Sequence, residues 1–274
     1  MCTHCGCSDD ATPTVTDLQS GQITAAPVVH VHEHGRDQDH DHGQAHFHPH
    51  EGGTTIRLDQ QILAKNNRLA ERNRGWFLGR NIVALNLVSS PGAGKTTLLE
   101  RTLNDLGGEM SIQVVEGDQA TLNDARRIEA AGAKVVQINT GAGCHLDAAM
   151  VGRGLQMLDP PHGSVVMIEN VGNLVCPALF DLGERAKVLI SSVTEGDDKP
   201  IKYPHMFRAS SLVLLNKIDL LAHVSFDRAR FADFVRQVNP DLPILDVSAT
   251  RGDGMREWYA WLRDLRARQE RLLD

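Results

Sequence analysis

No apolar run in this sequence approaches 18 residues, so a membrane-spanning helix is not expected. The N-terminus lacks a basic segment leading into an apolar stretch, which argues against a secretory signal. There is no basic footprint for nucleic acid either. Residues 1–50 carry seven acids against one base, Arg36, and the remainder is nearly balanced, with 28 acids and 27 bases. An even cysteine set is also missing. Five cysteines, three of them in the first seven positions, point to metal or redox chemistry and not to a disulfide framework. No internal repeat of 20–50 residues is present. These absences leave the expectation of a cytoplasmic protein without membrane or nucleic-acid partners.

What the chain does contain is unevenly placed. Nine of its 13 histidines lie in the first 50 residues. Residues 1–52 have almost no apolar periodicity and are expected to form a disordered, Cys/His-rich metal-binding tail, because they bury too little surface to offset their ordering entropy. Residues 53–274 read as one folded domain. An amphipathic helix is expected from Asp59 to about Gly75, with Ile62, Leu63, Leu69 and Ala70 on one face and Asn66 and Asn73 among them. Apolar runs follow at 82–88, 112–115, 135–138, 165–168, 188–193, 212–215 and 244–247. Helical stretches alternate with them at 96–106, 121–131, 146–158, 226–238 and 254–268. Unbroken β-branched strands alternating with helices predict an α/β fold, a mainly parallel sheet covered on both faces.

The first of these strands runs into Ser89-Ser90-Pro91-Gly92-Ala93-Gly94-Lys95-Thr96-Thr97 and then a helix. This matches G-x-x-x-x-G-K-[ST] with Ser89 in place of the first glycine. The backbone of Gly92 through Thr97 is expected to curl around a β-phosphate at a helix N-terminus. Lys95 falls along the β/γ-phosphates and the Thr96 hydroxyl on Mg²⁺. Further on, Asn216-Lys217-Ile218-Asp219 follows a strand and matches N-K-x-D. The Asp219 carboxylate can accept from both guanine N1–H and the exocyclic amine, a donor pair adenine lacks, so GTP/GDP is expected over adenine nucleotides. Ser248-Ala249-Thr250 resembles the loop whose amide meets the guanine carbonyl. Two acidic loops complete the site: Glu116-Gly117-Asp118, with Asp118 the candidate for Mg²⁺ or the attacking water, and Glu169-Asn170-Val171-Gly172, a D-x-x-G-like switch with Glu for Asp. Gly172 is expected to offer its amide to the γ-phosphate. Asn173 stands where a catalytic glutamine would follow, so hydrolysis should be slow.

Three groups of residues suit metals. Cys2, Cys5 and Cys7 cluster beside His4 and suit a soft or square-planar ion, nickel or copper, better than structural zinc. The run His30, His32, His34, His40, His42, His46, His48 and His50 suits weak binding of several ions, as in storage. Cys144, His145 and Cys176 follow two expected strands, at the sheet edge where ligand sites collect. They form an incomplete tetrahedron to be finished by water, Asp147 or a second chain; buried structural cysteines are the plainer alternative.

Taken together, S-S-P-G-A-G-K-T, E-G-D, G-x-G-C-H, E-N-V-G-N-L-V-C-P, E-G-D-D-K-P-I-K-Y-P (195–204) and N-K-I-D, in this order over about 55–270, resemble the hydrogenase nickel-incorporation GTPases, the HypB family. The opening M-C-T-H-C-G-C resembles the N-terminal nickel motif of some members. The resemblance implies a P-loop NTPase fold of the SIMIBI type and a slow GTPase that dimerises with GTP. It implies a nickel metallochaperone working with a HypA-like partner to load the [NiFe]-hydrogenase large-subunit precursor. It also implies Ni²⁺ ligation at Cys2, Cys5 and Cys7, and Ni²⁺ or Zn²⁺ at Cys144, His145 and Cys176. Two other readings stay open here: a passive nickel store, and an accessory GTPase for another metalloenzyme such as urease.

Overall fold

The structure is a computed structural model that describes residues 14–25, 52–118, 122–141 and 143–271. The chain runs β1 (Thr14–Asp17), β2 (Ile23–Ala25), α1 (Gly52–Gly79), β3 (Val83–Ser89), α2 (Lys95–Leu106), β4 (Ile112–Asp118), α3 (Asn123–Ala130), β5 (Val135–Asn139) and α4 (Ala148–Leu158). It continues through β6 (Val165–Glu169), α5 (Cys176–Leu179), β7 (Ala186–Ser192), α6 (Lys199–Lys202), α7 (Pro204–Ala209), β8 (Leu212–Asn216), a 3₁₀ turn (Ile218–His223), α8 (Arg228–Val238), β9 (Ile244–Asp246) and α9 (Met255–Glu270). The strands form one sheet in the order β2-β1-β5-β4-β6-β3-β7-β8-β9. From β5 to β9 every pairing is parallel, and only the β1–β2 and β1–β5 pairings are antiparallel. This is the α/β arrangement the strand–helix alternation predicts.

Both sheet faces are covered, which is why the strands read as continuous apolar runs. On one face Leu85 and Leu87 of β3 pack with Leu98 and Leu99 of α2 and Trp258 of α9. On the other, Ile82 and Ala84 pack with Phe77 of α1 and Leu155 of α4. A third cluster joins Val88 and Leu189 to Phe207 of α7 and Phe231 of α8. The β3 strand is therefore central, and its carboxyl end meets the edge where β4, β5, β6 and β8 also end.

Several boundaries differ from the sequence reading. The segment 1–52, read as a disordered tail, contains the hairpin at residues 14–25. Val15 is buried in the cluster that holds Val136 and Ile138 and Leu18 packs partly against the core of the other face, and two such side chains are too weak a periodic signal. Main-chain pairing of β1 to the edge of β5 supplies the rest. The first helix begins at Gly52 instead of Asp59 and runs past Gly75 to Gly79. Phe77 is buried, Trp76 lies edge-on to it, and Arg80 covers the Trp76 ring, so the helix gains packing beyond the glycine. The short helices α5, α6 and α7 and the 3₁₀ turn lie in stretches too brief for a periodic pattern.

Asn66 and Asn73, which interrupt the apolar face of α1, are both buried. Asn73 Nδ2 donates to the carbonyls of Ala148 (2.8 Å) and Leu182 (3.1 Å). Asn66 donates to Asp181 O and accepts from Ala148 N. These amides fix α1 to the start of α4 and to the loop before β7. Asn73→Ala strands two buried carbonyls and should lower unfolding stability by about 2–4 kcal/mol, read as a shifted urea midpoint at unchanged slope.

Candidate functional site

Residues Ser89 to Thr96 leave β3, turn, and enter α2. Gly92 and Gly94 both adopt positive φ, +77° and +94°. At Gly94 a Cβ would come within 2.6 Å of Asn216 Nδ2, so glycine is needed for conformation and for space. Asn216 spans the site: its Nδ2 donates to Ala93 O (3.0 Å) and its Oδ1 accepts from Ala249 N (3.1 Å). Lys217 Nζ reaches Gly92 O at 2.7 Å. Asp219 accepts from Ser248 Oγ at 2.6 Å and remains partly open. The loop and both stretches expected to meet a base are thus tied into one wall. Thr97 turns away, toward Arg127 (3.3 Å).

At the other side of the loop, Glu169 is almost wholly buried. Its Oε1 accepts from Lys95 Nζ at 2.5 Å and from Thr96 Oγ1 at 2.7 Å. Glu116 faces it in cross-strand register on β4. Burial, reinforced by the Glu169 and Asp118 carboxylates, pushes the Glu116 pKa up to about 9. One oxygen on each glutamate, Glu116 Oε2 and Glu169 Oε2, is buried without a hydrogen-bond partner. Two carboxylates with orphaned oxygens beside the Thr96 hydroxyl fit a hard divalent cation such as Mg²⁺. Glu116, Gly117 and Asp118 belong to β4 itself and are not the loop the sequence reading made them. The apolar run ended at Val115, but the ladder with β5 continues to Asp118. Glu116 is therefore a site residue that its place in a supposed loop disguised; the signal was an acid aligned with the strand period.

Gly172 lies against the phosphate loop. A Cβ there would sit 3.1 Å from Pro91 N and 3.2 Å from Pro91 Cα. The same stretch continues to the sulfur site. Asn170 Oδ1 accepts from Leu146 N (3.1 Å), and Asn173 Nδ2 donates to Cys144 O (3.3 Å). Cys176 opens α5, with its sulfur 3.0 Å from that of Cys144 and no disulfide between them. His145 Nδ1 lies 3.7 Å from Cys144 Sγ, and all three ligand atoms fall within 4.8 Å of one another. The His145 ring packs on Phe180, with centroids 4.0 Å apart. Burial lowers its pKa, opposed by Asp147, which favours the neutral imidazole that metal ligation requires. Asp147, weighed as a fourth ligand, is instead the N-cap of α4, accepting from Met150 N at 2.7 Å. Buried Lys187 fixes α5 from below through Pro177 O (2.7 Å) and Phe180 O (3.4 Å). Cys2, Cys5, Cys7 and the histidines at 30–50 lie outside the described residues.

A parallel sheet with this strand–loop–helix cradle and an N-K-x-D turn defines a P-loop nucleotide-binding domain of the GTPase kind. The CobW/HypB/UreG nucleotide-binding domain family matches residues 83–246. The chain is 57% identical over 207 residues to the hydrogenase maturation factor HypB of Azotobacter vinelandii, covering 76% of this chain and 68% of that one. It is 54% identical over 211 residues to that of Escherichia coli K12, covering 77% and 73%. Among solved structures it resembles HypB from Archaeoglobus fulgidus (TM-score 0.69, 39% identity, 74% of this chain and 99% of that one). It also resembles HypB from Helicobacter pylori in complex with nickel (TM-score 0.70, 34% identity, 74% and 96%). The chain belongs to the HypB family of hydrogenase maturation factors. Among the described residues no helix is long and apolar enough to cross a membrane.

The raised pKa of Glu116 carries a stability signature. The folded state keeps its proton up to about pH 9, while the unfolded chain releases it near the ordinary carboxylate value. Stability of the protein without nucleotide or metal should therefore fall as pH rises between those two values. Glu116→Gln should flatten that slope in urea titrations run from pH 5 to 9; an unchanged slope would show that Glu116 is ionised in the fold.

Proposed function

We propose that this chain is a slow GTPase and nickel metallochaperone that delivers Ni²⁺ to the [NiFe]-hydrogenase precursor. One observation carries the reading: the eight residues 169–176 begin on the phosphate loop and end in the Cys/His/Cys cluster. A single short segment thus touches both the nucleotide cradle and the candidate nickel site.

In this reading, Gly92 to Thr97 hold the phosphates, and Asn216, Lys217, Asp219, Ser248 and Ala249 hold guanine. Lys95 pairs with Glu169. An arriving β/γ-phosphate competes for the Lys95 ammonium and the Thr96 hydroxyl, which frees Glu169 and loosens the start of 169–176. Gly172, already against Pro91, presents its amide to the γ-phosphate. Asp118, at the end of β4, orients the attacking water. Thr96 and the acidic pair would hold Mg²⁺, which neutralises phosphate charge when bound. Cys144, His145 and Cys176 take nickel as cargo, with zinc a competitor for the same thiolates. Val175 and Leu179 flank Cys176 with 57% and 54% of their surfaces exposed, an apolar border that suits a GTP-favoured homodimer or a HypA-like partner. Cytoplasmic location follows from cargo and client.

Lys95→Ala removes the side-chain point charge proposed to lie on the transferring phosphate, so GTP turnover should drop by at least about a hundredfold. Nickel-dependent rescue of hydrogenase activity in a strain lacking its own HypB should fail with this variant. Wild-type turnover in Lys95→Ala would refute the phosphate assignment, and rescue by it would refute the GTP-driven delivery.

Because 169–176 joins the two sites, nucleotide state should change nickel affinity, with a coupling of about 1–3 kcal/mol, or 5- to 150-fold. Nickel would be titrated into a tail-deleted protein with GDP and with a non-hydrolysable GTP analogue. Linkage demands the reciprocal effect of nickel on nucleotide affinity. Equal nickel affinities in both states would remove the switch.

A further inference from the structure

Asn86 belongs to neither the nucleotide cradle nor the sulfur cluster, yet it lies wholly buried in the middle of β3, the strand that enters the phosphate loop. Strand alternation sets its side chain on the face of Ile82 and Ala84, in apolar surroundings where an unpaired amide is costly. Both ends of this amide are paired. Nδ2 donates to Glu184 Oε1 at 3.1 Å, and Oδ1 accepts from Asn170 Nδ2 at 3.2 Å. A leucine would pack at this place without such demands, so what the amide adds is a link. The link runs to both neighbours of β3 in the sheet, because Asn170 follows β6 and Glu184 precedes β7. Asn170 is also wholly buried and comes directly after Glu169. Its main-chain N donates to Leu87 O (3.0 Å), and its Oδ1 accepts from Leu146 N (3.1 Å), the residue after His145. Glu184 lies 3.7 Å from Lys187 Nζ, which donates to Pro177 O, next to Cys176. Leu146, and with it the Cys144–His145 pair, is thereby tied to β3 through Asn170 and Asn86.

We propose that Asn86 is a positioning residue that pins the Cys144–His145 half of the nickel site to the phosphate-loop strand, so that nucleotide state moves Cys176 against a stationary pair. The inference rests on the reading of the trio as a nickel site coupled to nucleotide. In that reading a phosphate that recruits Lys95 and Thr96 frees Glu169, and the segment after it shifts. Asn170 stays behind because its bonds end on Asn86, Leu87 and Leu146 and not on the phosphate loop. The distance between the Cys176 thiolate and the other two ligands therefore depends on the nucleotide. With an apolar side chain at position 86, Asn170 Nδ2 loses its acceptor and is left buried and unpaired, which favours any turn of that amide that finds another partner. Leu146 N then loses its fixed acceptor, the Cys144–His145 pair follows the segment, and the nucleotide no longer alters the geometry of the trio. A residue that touches neither ligand can set a coupling in this way only if its removal changes the coupling itself.

The test uses the full-length chain bearing Cys2→Ser, Cys5→Ser and Cys7→Ser, so that the thiolate-to-nickel charge-transfer band reports Cys144 and Cys176 alone. Ni²⁺ is titrated with GDP and with a non-hydrolysable GTP analogue, and the ratio of the two affinities is the readout, which a loss of stability alone does not move. The parent ratio should lie at about 5- to 150-fold. In Asn86→Leu nickel should still bind, since every ligand is retained, but the ratio should fall by more than about twofold. A ratio within about twofold of the parent's would overturn the pin. Reversing the bond gives a second measurement, which decides if Asn86→Leu fails to fold. Asn86→Asp sets a carboxylate against Glu184 and should also lower the ratio. Adding Glu184→Gln lets the new amide at 184 donate to the new carboxylate at 86, with the charge count beside Lys187 unchanged, and should restore the parent ratio. Failure to restore it would overturn the pin as well. Amide hydrogen exchange separates this inference from the reading beneath it: Leu146 N should exchange at least about tenfold faster in Asn86→Leu, with Val115 in β4 unchanged. Equal nickel affinities in the parent would refute the nucleotide switch; Leu146 exchange then decides the pin alone, and an unchanged rate overturns it.

Discussion

The buried contact of Glu169 with Lys95 and Thr96 is the constraint on which the site depends. A carboxylate so far from water is costly unless paired, and removing one partner of such a pair leaves the other charge uncompensated. In the proposed function Lys95 and Thr96 are also the side chains that meet a nucleotide phosphate. The loop at the end of β6 would then be held by the groups that ligand binding recruits. Asn170 extends this dependence: it accepts from Leu146 N and donates to Asn86 on β3. Asn173 carries it to the Cys144 carbonyl. Each link is an ordinary hydrogen bond, but together they leave the segment few positions consistent with all of them.

Crowding of acids provides the opposing force. Glu116 and Glu169 oppose each other across β4 and β6, with Asp118 near enough to raise the Glu116 pKa further. Like charges this close are disfavoured unless a proton or a cation lies among them. Burial and these neighbours favour the protonated form of Glu116. In the proposed cycle a metal with its phosphates would take the place of that proton.

Much of this was legible in the sequence, and the gaps have physical causes. The parallel sheet was readable because strands buried on both faces must be apolar throughout, as 212–215 and 165–168 are. The phosphate loop and N-K-x-D turn were readable because phosphate and guanine demand particular residues at fixed spacing, and the structure joins them through Asn216. The metal trio was readable as a candidate from Cys144 beside His145, and the fold brings Cys176 to it from 32 residues away. Polar residues inside strands were harder. Asn86 looks like a flaw in an apolar run, and Glu116 and Lys187 fall just outside the runs; only tertiary neighbours reveal their places, Glu184 and Asn170 for Asn86, Glu169 for Glu116 and the Pro177 carbonyl for Lys187. Hardest was the hairpin, where two core-packed side chains and a free strand edge supply what no local pattern encodes.

A cargo site has a requirement that a structural metal site does not: it must release what it binds. In the nickel site proposed above, three ligands leave a coordination position open, and with Asp147 committed to capping α4 no fourth joins the group among the described residues. The open position is where a ligand from another segment or another chain can enter before the first set lets go. Such an exchange needs the trio to stay in place as the metal leaves. Lys187 serves this by holding the carbonyls of Pro177 in α5 and Phe180 just after it, while Phe180 supports the His145 ring. Cys176 alone among the three sits on the segment that reaches the phosphate loop. In the proposed function, displacing that one thiolate relative to the Cys144–His145 pair would turn a nucleotide signal into a change in nickel affinity.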